Sequence, residues 1–123
     1  MRYDGFTKTK KEYSLFIGRF QPFHDGHKAI MDKVLEEGKN IVIALRDTER
    51  TESNPYSIGQ RKAMIKKAYR YEIKKDRVKI IKIPDITEVC YGRKVGWGIR
   101  EIAVDKETEE ISATKIRDEK NKQ

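Results

Sequence analysis

The chain has 123 residues, a length that suits one domain with a core of its own. Apolar residues make up 37% and charged residues 39%, so that core is compact, and no apolar run approaches the ~20 residues of a membrane-spanning helix. A net charge of +8 favours anionic partners without choosing among them, and a lone cysteine, Cys90, excludes an internal disulfide and a cysteine metal cluster.

Residues 1–12 are polar and basic, without periodicity, and are expected to form a flexible segment ahead of a domain spanning 13–123. They lack the apolar stretch of a secretory signal, so a cytoplasmic location is expected. "YSLFIGRF" (13–20) is a continuous apolar run of the kind found in strands buried on both faces. "HKAIMDKVLEEG" (27–38) places Ile30, Met31, Val34 and Leu35 at helical intervals, with Gly38 as terminator. "NIVIALRD" (40–47) is a second β-branched run. Strand, glycine-bearing turn, helix and strand make a right-handed βαβ unit.

"TERTESNPYS" (48–57) has no core residues and reads as a loop at the end of a strand, where functional groups often sit. "SIGQRKAMIKKAYRYE" (57–72) reads as one basic amphipathic helix with Ser57 as N-cap and Arg61 partly sheltered. "RVKIIKIPD" (77–85) is a third strand. "TEVCYG" (87–92) and "IREIAV" (99–104) are read as further short strands, with Cys90 a buried small residue. "ISATKIRDEKNKQ" (111–123) is read as a last helix capped by Ser112. The alternation predicts an α/β fold: a Rossmann-like, doubly wound parallel sheet of about five strands with flanking helices.

Both histidines of the chain lie in "GRFQPFHDGHKAIM" (18–31), where the first strand enters the first helix. Ligands of open parallel sheets bind beyond the carboxyl ends of the strands. Gly18 permits close backbone approach, and a helix N-terminus offers free N–H groups and a positive dipole end to a phosphate. His24 and His27 are placed to donate hydrogen bonds to the same anion; a plain capping role is the alternative. Zinc would need a third ligand, which neither another histidine nor a cysteine pattern supplies. A second cluster, "ISATKIR" (111–117), offers small residues at a helix start and Arg117 one turn along, suited to clamping phosphate.

These two motifs, in this order on this pattern, resemble the H-x-G-H nucleotidyltransferase superfamily, the cytidylyltransferase-like enzymes. "GRFQPFHDGH" is most similar to the archaeal-type nicotinamide-nucleotide adenylyltransferases, and "NPYSIGQRKAMI" (54–65) is similar to the segment after the second strand in that branch. ISATKIR matches the family pattern I-S-[ST]-T-x-I-R except at Ala113. The stretch between the third strand and that motif, 84–110, is shorter than in the archaeal-type enzymes and closer in length to the small glycerol-phosphate cytidylyltransferases.

The resemblance implies attack by an acceptor phosphate on the α-phosphate of a nucleoside triphosphate, with release of pyrophosphate. His24, His27 and Arg117 would be catalytic. Gly18, Arg19, Phe20, Gly26, Ser112 and Thr114 would line the nucleotide site, and Mg²⁺ would be held by substrate phosphates rather than by protein. Arg46, Asn54, Tyr56, Arg61 and Trp97 are candidates for the acceptor side; each of the arginines has an ordinary surface or ion-pair role as its alternative. ATP with nicotinamide mononucleotide is favoured over CTP with a phosphate ester such as glycerol 3-phosphate. A homo-oligomer and no membrane partner are expected. A basic nucleic-acid-binding module is the rival from another class. It rests on charge alone, because the basic residues are spread along the chain with no RNA-binding aromatic signature. A regulator that binds nucleotide without turnover is a third reading, opposed by the intact His24, His27 and Arg117.

Overall fold

The computed structural model describes residues 11–93 and 96–102. Three parallel strands, β1 (Tyr13–Gly18), β2 (Asn40–Asp47) and β3 (Val78–Pro84), form one sheet in the order β1-β2-β3. Helix α1 (Asp25–Glu36) connects the first two strands. Helices α2 (Ile58–Ala68) and α3 (Arg70–Lys74) connect the second pair.

Each helix has local causes. Gly38, at φ 84°, ends α1 by entering the left-handed region, and its N–H donates to the Leu35 carbonyl. Arg77 adds a second closure, donating from Nη2 to the carbonyls of Leu35 and Lys39 at 2.7 Å each. Ser57 caps α2 as expected: its Oγ accepts from the Gln60 N–H, while the Gln60 side chain accepts from the Ser57 N–H. The single helix expected over 57–72 is instead two, parted at Tyr69 (φ −120°, ψ 30°). That side chain is wholly buried and donates from its hydroxyl to Asp32 at 2.8 Å, so its tether to α1 sets the break.

Register sorts the strand residues onto two faces. Phe16 stands beside Ile43, and Ile43 beside Ile80; with Ile41, Leu45 and Val78 they meet Met31, Val34 and Leu35 of α1 and Ile65 and Tyr69 from the second crossover. Both crossovers run the same way across the sheet, so right-handed connections put both helices on this one face. The other face carries Leu15 (58% exposed), Ile17 and Ile81. β1 is therefore not buried on both faces among the described residues: a layer on its far side needs a reversal of strand order, which 11–102 do not contain. Residues 87–92 form no strand, and 99–102 none, so the two short strands expected there are not found in the described residues. Cys90 is exposed rather than buried, beside Glu88, because this stretch runs outside the sheet. Of the N-terminal segment, Lys11 donates to the carbonyls of Lys75 and Asp76.

After β3 the chain comes back past the far end of α1. Arg100 there forms a two-pronged pair with Glu37, and Ile102 packs against the core. No helix among the described residues is long and apolar enough to cross a membrane.

Candidate functional site

The carboxyl ends of β1 and β2 and the amino end of α1 meet at one edge of the sheet. β1 ends at Gly18, and two residues later Phe20 takes a left-handed backbone (φ 53°), which a bulky residue adopts only when its surroundings hold it. They do: the ring is 6% exposed and folds back over Gly18. A Cβ on Gly18 would stand 2.9 Å from the Phe20 Cζ. The room expected at Gly18 for a ligand is thus filled by the chain's own ring, and the glycine is accounted for by that packing. The Gln21–Pro22 peptide bond is cis.

His24 is the N-cap of α1, in extended backbone (φ −143°, ψ −179°). Its Nδ1 accepts from the Gly26 N–H at 3.0 Å, and its own N–H donates to the Nδ1 of His27 at 3.1 Å. The two histidines therefore make a reciprocal capping box, with imidazoles in place of the usual hydroxyl and carboxamide. The capping role and the anion-donor role are not alternatives. A ring whose Nδ1 accepts carries its proton on Nε2, so both rings hold a donor N–H at Nε2. The rings stack at 3.9 Å between centroids; Phe20 abuts His27 edge-on at 4.8 Å and Phe23 stacks on it at 5.8 Å. Burial, and then the neighbouring His24, push the His27 pKa down to about 3, so that imidazole is neutral at pH 7. Asp25 in the first turn and the aligned peptide dipoles complete a helix end of ordinary polarity.

The other expected residues fall around this turn in different ways. Arg19 donates from Nη1 to Asn54 Oδ1 at 3.0 Å, which brings the 48–57 loop over the first turn. Gly26 has its N–H engaged by His24. Arg46 lies at the end of β2 and pairs with Asp85 at 2.7 Å. Tyr56 is buried, and Arg61 is fully enclosed at 0% exposure. Lys28 pairs with Asp32 at 2.8 Å and sits over the Tyr69 ring. Trp97, at 73% exposure, makes no ring contact among the described residues. Ser112, Thr114 and Arg117 lie outside the described residues.

One residue not singled out from the sequence organises the loop. Gln21, 3% exposed, donates from Nε2 to the Tyr56 carbonyl at 3.0 Å and accepts at Oε1 from the Tyr56 N–H at 2.9 Å. Its carboxamide thus mimics a peptide and pairs with a backbone 35 residues away. It also donates to Thr48 Oγ1 at 3.3 Å. No local pattern marks such a pairing; the only hint was a polar residue amid apolar ones between strand and helix.

Among the described residues, no group of three or more His, Cys, Asp or Glu side chains is arranged to hold a metal ion. The site offers instead two stacked imidazoles, that of His27 neutral, with a helix amino end and arginines at two strand ends. That set suits an anion carrying several oxygens.

Comparison with known proteins agrees with this chemistry. A family model described as Cytidylyltransferase-like matches residues 15–89. The nicotinamide-nucleotide adenylyltransferase of Thermoplasma volcanium is 38% identical over 66 residues, covering 52% of this chain and 37% of that protein. Its namesake in Ignicoccus hospitalis is 40% identical over 76 residues, covering 59% and 44%. The chain thus spans less than half the length of these curated relatives. Among solved structures, a bifunctional NMN adenylyltransferase/ADP ribose pyrophosphatase from Francisella tularensis aligns with a TM-score of 0.53 at 35% identity, over 62% of this chain and 23% of that one. A second structure of that enzyme, at the same identity and score, is complexed with AMP and a Mn ion. With more than half of its residues inside the matched model, and with that model's segment holding the whole histidine turn, β2, β3 and the carboxyl end of β1, the chain belongs to the cytidylyltransferase-like family.

Proposed function

We propose that this chain carries out adenylyl transfer: an oxygen of the nicotinamide mononucleotide phosphate attacks the α-phosphorus of ATP. The bond from that phosphorus to the bridging oxygen breaks, and pyrophosphate leaves with the electron pair. The acceptor phosphate is already ionised at neutral pH, so no general base is required. Catalysis then rests on alignment and on donors aimed at the transferring phosphoryl group.

The observation that carries this reading is the His24–His27 capping box. It fixes both Nδ1 atoms as acceptors and leaves both rings with an Nε2–H donor, neutral in His27 at working pH. The neutral His27 donor strengthens its hydrogen bond as negative charge builds on the phosphoryl oxygens, without binding the ground-state triphosphate as tightly as a cation would. Arg19 lies beside the turn, and Ser112, Thr114 and Arg117 are assigned to the β and γ phosphates. The names of the relatives favour ATP and nicotinamide mononucleotide over CTP and a glycerol phosphate.

In this reading a divalent cation arrives with the substrate and is not assigned to protein side chains. Mg²⁺ bound to phosphate oxygens and water would neutralise part of the triphosphate charge.

The fuller sheet of about five strands belongs to this reading too. The outer edge of β1 has no strand beside it among the described residues. A cytoplasmic homo-oligomer is part of the same proposal.

The test is a pyrophosphate-release assay crossing ATP and CTP with nicotinamide mononucleotide, phosphopantetheine and glycerol 3-phosphate in the presence of Mg²⁺. Release with ATP and nicotinamide mononucleotide alone is the expected result. Release only with CTP replaces the base and acceptor. Silence throughout, with tight and steeply salt-dependent binding to DNA or RNA, overturns the enzyme reading in favour of a basic nucleic-acid-binding module.

A further inference from the structure

Arg61 is the largest fully buried side chain in the described structure, and it forms no ion pair there. Its Nη1 donates to the Arg19 carbonyl at 2.7 Å and to the Arg46 carbonyl at 2.8 Å, and its Nε donates to the Ser57 carbonyl at 3.2 Å. Nη2 is buried with no hydrogen-bond partner. Burial lowers the affinity of the group for its proton, opposed by the field of Asp47.

A guanidinium kept in the interior without a carboxylate, and with one nitrogen unsatisfied, is a poor choice for stability. Leaving a buried donor unmet incurs its desolvation cost, and an apolar side chain of similar size would avoid it. What the group does achieve is geometric. Arg19 follows the last residue of β1, and Arg46 is the penultimate residue of β2. One nitrogen therefore joins the carbonyls at the carboxyl ends of two neighbouring strands, just where the regular ladder of β1 stops. The planar fork permits this because both N–H bonds of Nη1 lie in the guanidinium plane at fixed angles. The amino end of α2 is tied to the same point through Ser57.

Each tied carbonyl belongs to a residue whose side chain faces the site or supports it. Arg19 reaches Asn54, and Arg46 reaches Asp85. Arg19 also begins the turn in which Phe20 takes its left-handed backbone and abuts His27. The path from Arg61 to the imidazoles is thus one carbonyl, one residue and one ring contact.

We infer that Arg61 is a positioning residue. It touches no substrate; it cross-ties the ends of β1 and β2 so that Arg19, Phe20 and the histidine pair hold the geometry the transferring phosphoryl group needs. This rests on the nucleotidyl-transfer reading for its consequence but not for its structural content, and the experiment separates the two. It gives Arg61 a different part from direct contact with an acceptor phosphate, which zero exposure disfavours.

The experiment compares Arg61→Lys and Arg61→Met with the wild-type chain. Lysine keeps the charge but cannot bridge two carbonyls with a planar fork; methionine removes both. The structural arm records the ¹⁵N–¹H signals of the His24 and His27 imidazoles and the amides of residues 19, 20 and 46–48. The kinetic arm records kcat and the KM for ATP and nicotinamide mononucleotide. Should the methionine variant fail to fold, the lysine variant alone decides both arms. The expected result is displaced imidazole signals in both variants. With it, kcat falls on the order of 100-fold, as misplacement by about an ångström can cause, while both KM values move much less. Lysine is expected to be no better than methionine.

Unmoved imidazole signals in a folded variant overturn the inference, whatever the activity. So does full rescue by lysine, which would mean that charge alone matters, or a rise in KM for nicotinamide mononucleotide at constant kcat, which would mean direct acceptor contact. If the wild-type chain turns over no substrate pair, the nucleotidyl-transfer reading fails, and the imidazole signals still decide the cross-tie.

Discussion

Replacing His24 separates two jobs that one ring performs. Nδ1 caps α1 by accepting from the Gly26 N–H, while Nε2 carries the proton assigned to the phosphoryl oxygens. His24→Ala loses both. Removing an N-cap acceptor costs about 0.5–2 kcal/mol, and in a domain of this size about 1 kcal/mol lowers Tm by roughly 3–6 °C. His24→Asn should lose only one job. Asparagine ranks with the best N-caps, so its Oδ1 can take over from Nδ1, but it places no donor where Nε2–H stood. Urea denaturation with parallel pyrophosphate-release measurements reads the pair. Alanine is expected to lower stability by about 1 kcal/mol with loss of turnover, and asparagine to keep stability within about 0.5 kcal/mol with the same loss. Equal destabilisation by both would show that the ring does not cap through Nδ1. Turnover retained by asparagine would remove the Nε2–H from the chemistry and with it the basis of the mechanism.

Three other outcomes follow from the same geometry. His27, with its folded pKa near 3 against 6.5 for a free imidazole, takes up its proton only on unfolding between these values; its contribution is full above pH 6.5 and is lost as pH falls toward 3. The wild-type chain should thus lose up to ~1.4 kcal/mol per pH unit more than His27→Gln, which keeps a capping-box acceptor; superimposable urea midpoints from pH 7.5 to 5 would refute this. Gly18→Ala forces the Phe20 ring away from its seat at 2.9 Å and should cost about 1–3 kcal/mol in denaturant unfolding, where no loss would show that the ring has room to give. Gln21→Ala removes the two carboxamide bonds to the buried Tyr56 backbone and should cost about 1–3 kcal/mol. Hydrogen exchange at the Tyr56 amide should quicken with it, and an unchanged exchange rate would mean that the carboxamide pairing does not hold the loop.

The parts of the fold that could be read from the sequence are those set by neighbours along the chain. Three apolar runs became three strands within a residue or two of their expected ends, and Gly38 and Ser57 closed and opened helices as their types dictate. The break at Tyr69 was not legible, because its cause is a hydroxyl bond to Asp32, 37 residues away. Among the described residues, burial at β1 falls short of expectation for a related reason. "LFI" looks the same whether one face or both are covered, and what lies over Leu15 and Ile17 is decided by strand order. In the site, the histidine pair stood out by type and spacing. That Gly18 serves Phe20, and that Gln21 serves Tyr56, could be seen only once the turn was in three dimensions.

On the proposed reading neither aspartate nor serine would replace the histidine cap, although both cap helices well. Those side chains satisfy the helix and then have nothing left: the carboxylate is all acceptor and would repel a phosphate, while the hydroxyl is too short to reach beyond the helix end. An imidazole has two nitrogens on opposite edges of a rigid ring. When Nδ1 accepts a backbone N–H, the proton of the neutral ring sits on Nε2, so folding of α1 itself selects the tautomer that the proposed chemistry uses. The second ring repeats the device from His27, and the Phe20 and Phe23 rings hold that imidazole neutral by excluding water. Donor orientation at this site is therefore a by-product of helix capping: a change that weakens the amino end of α1 should blunt phosphate recognition even where no ligand-facing atom is altered.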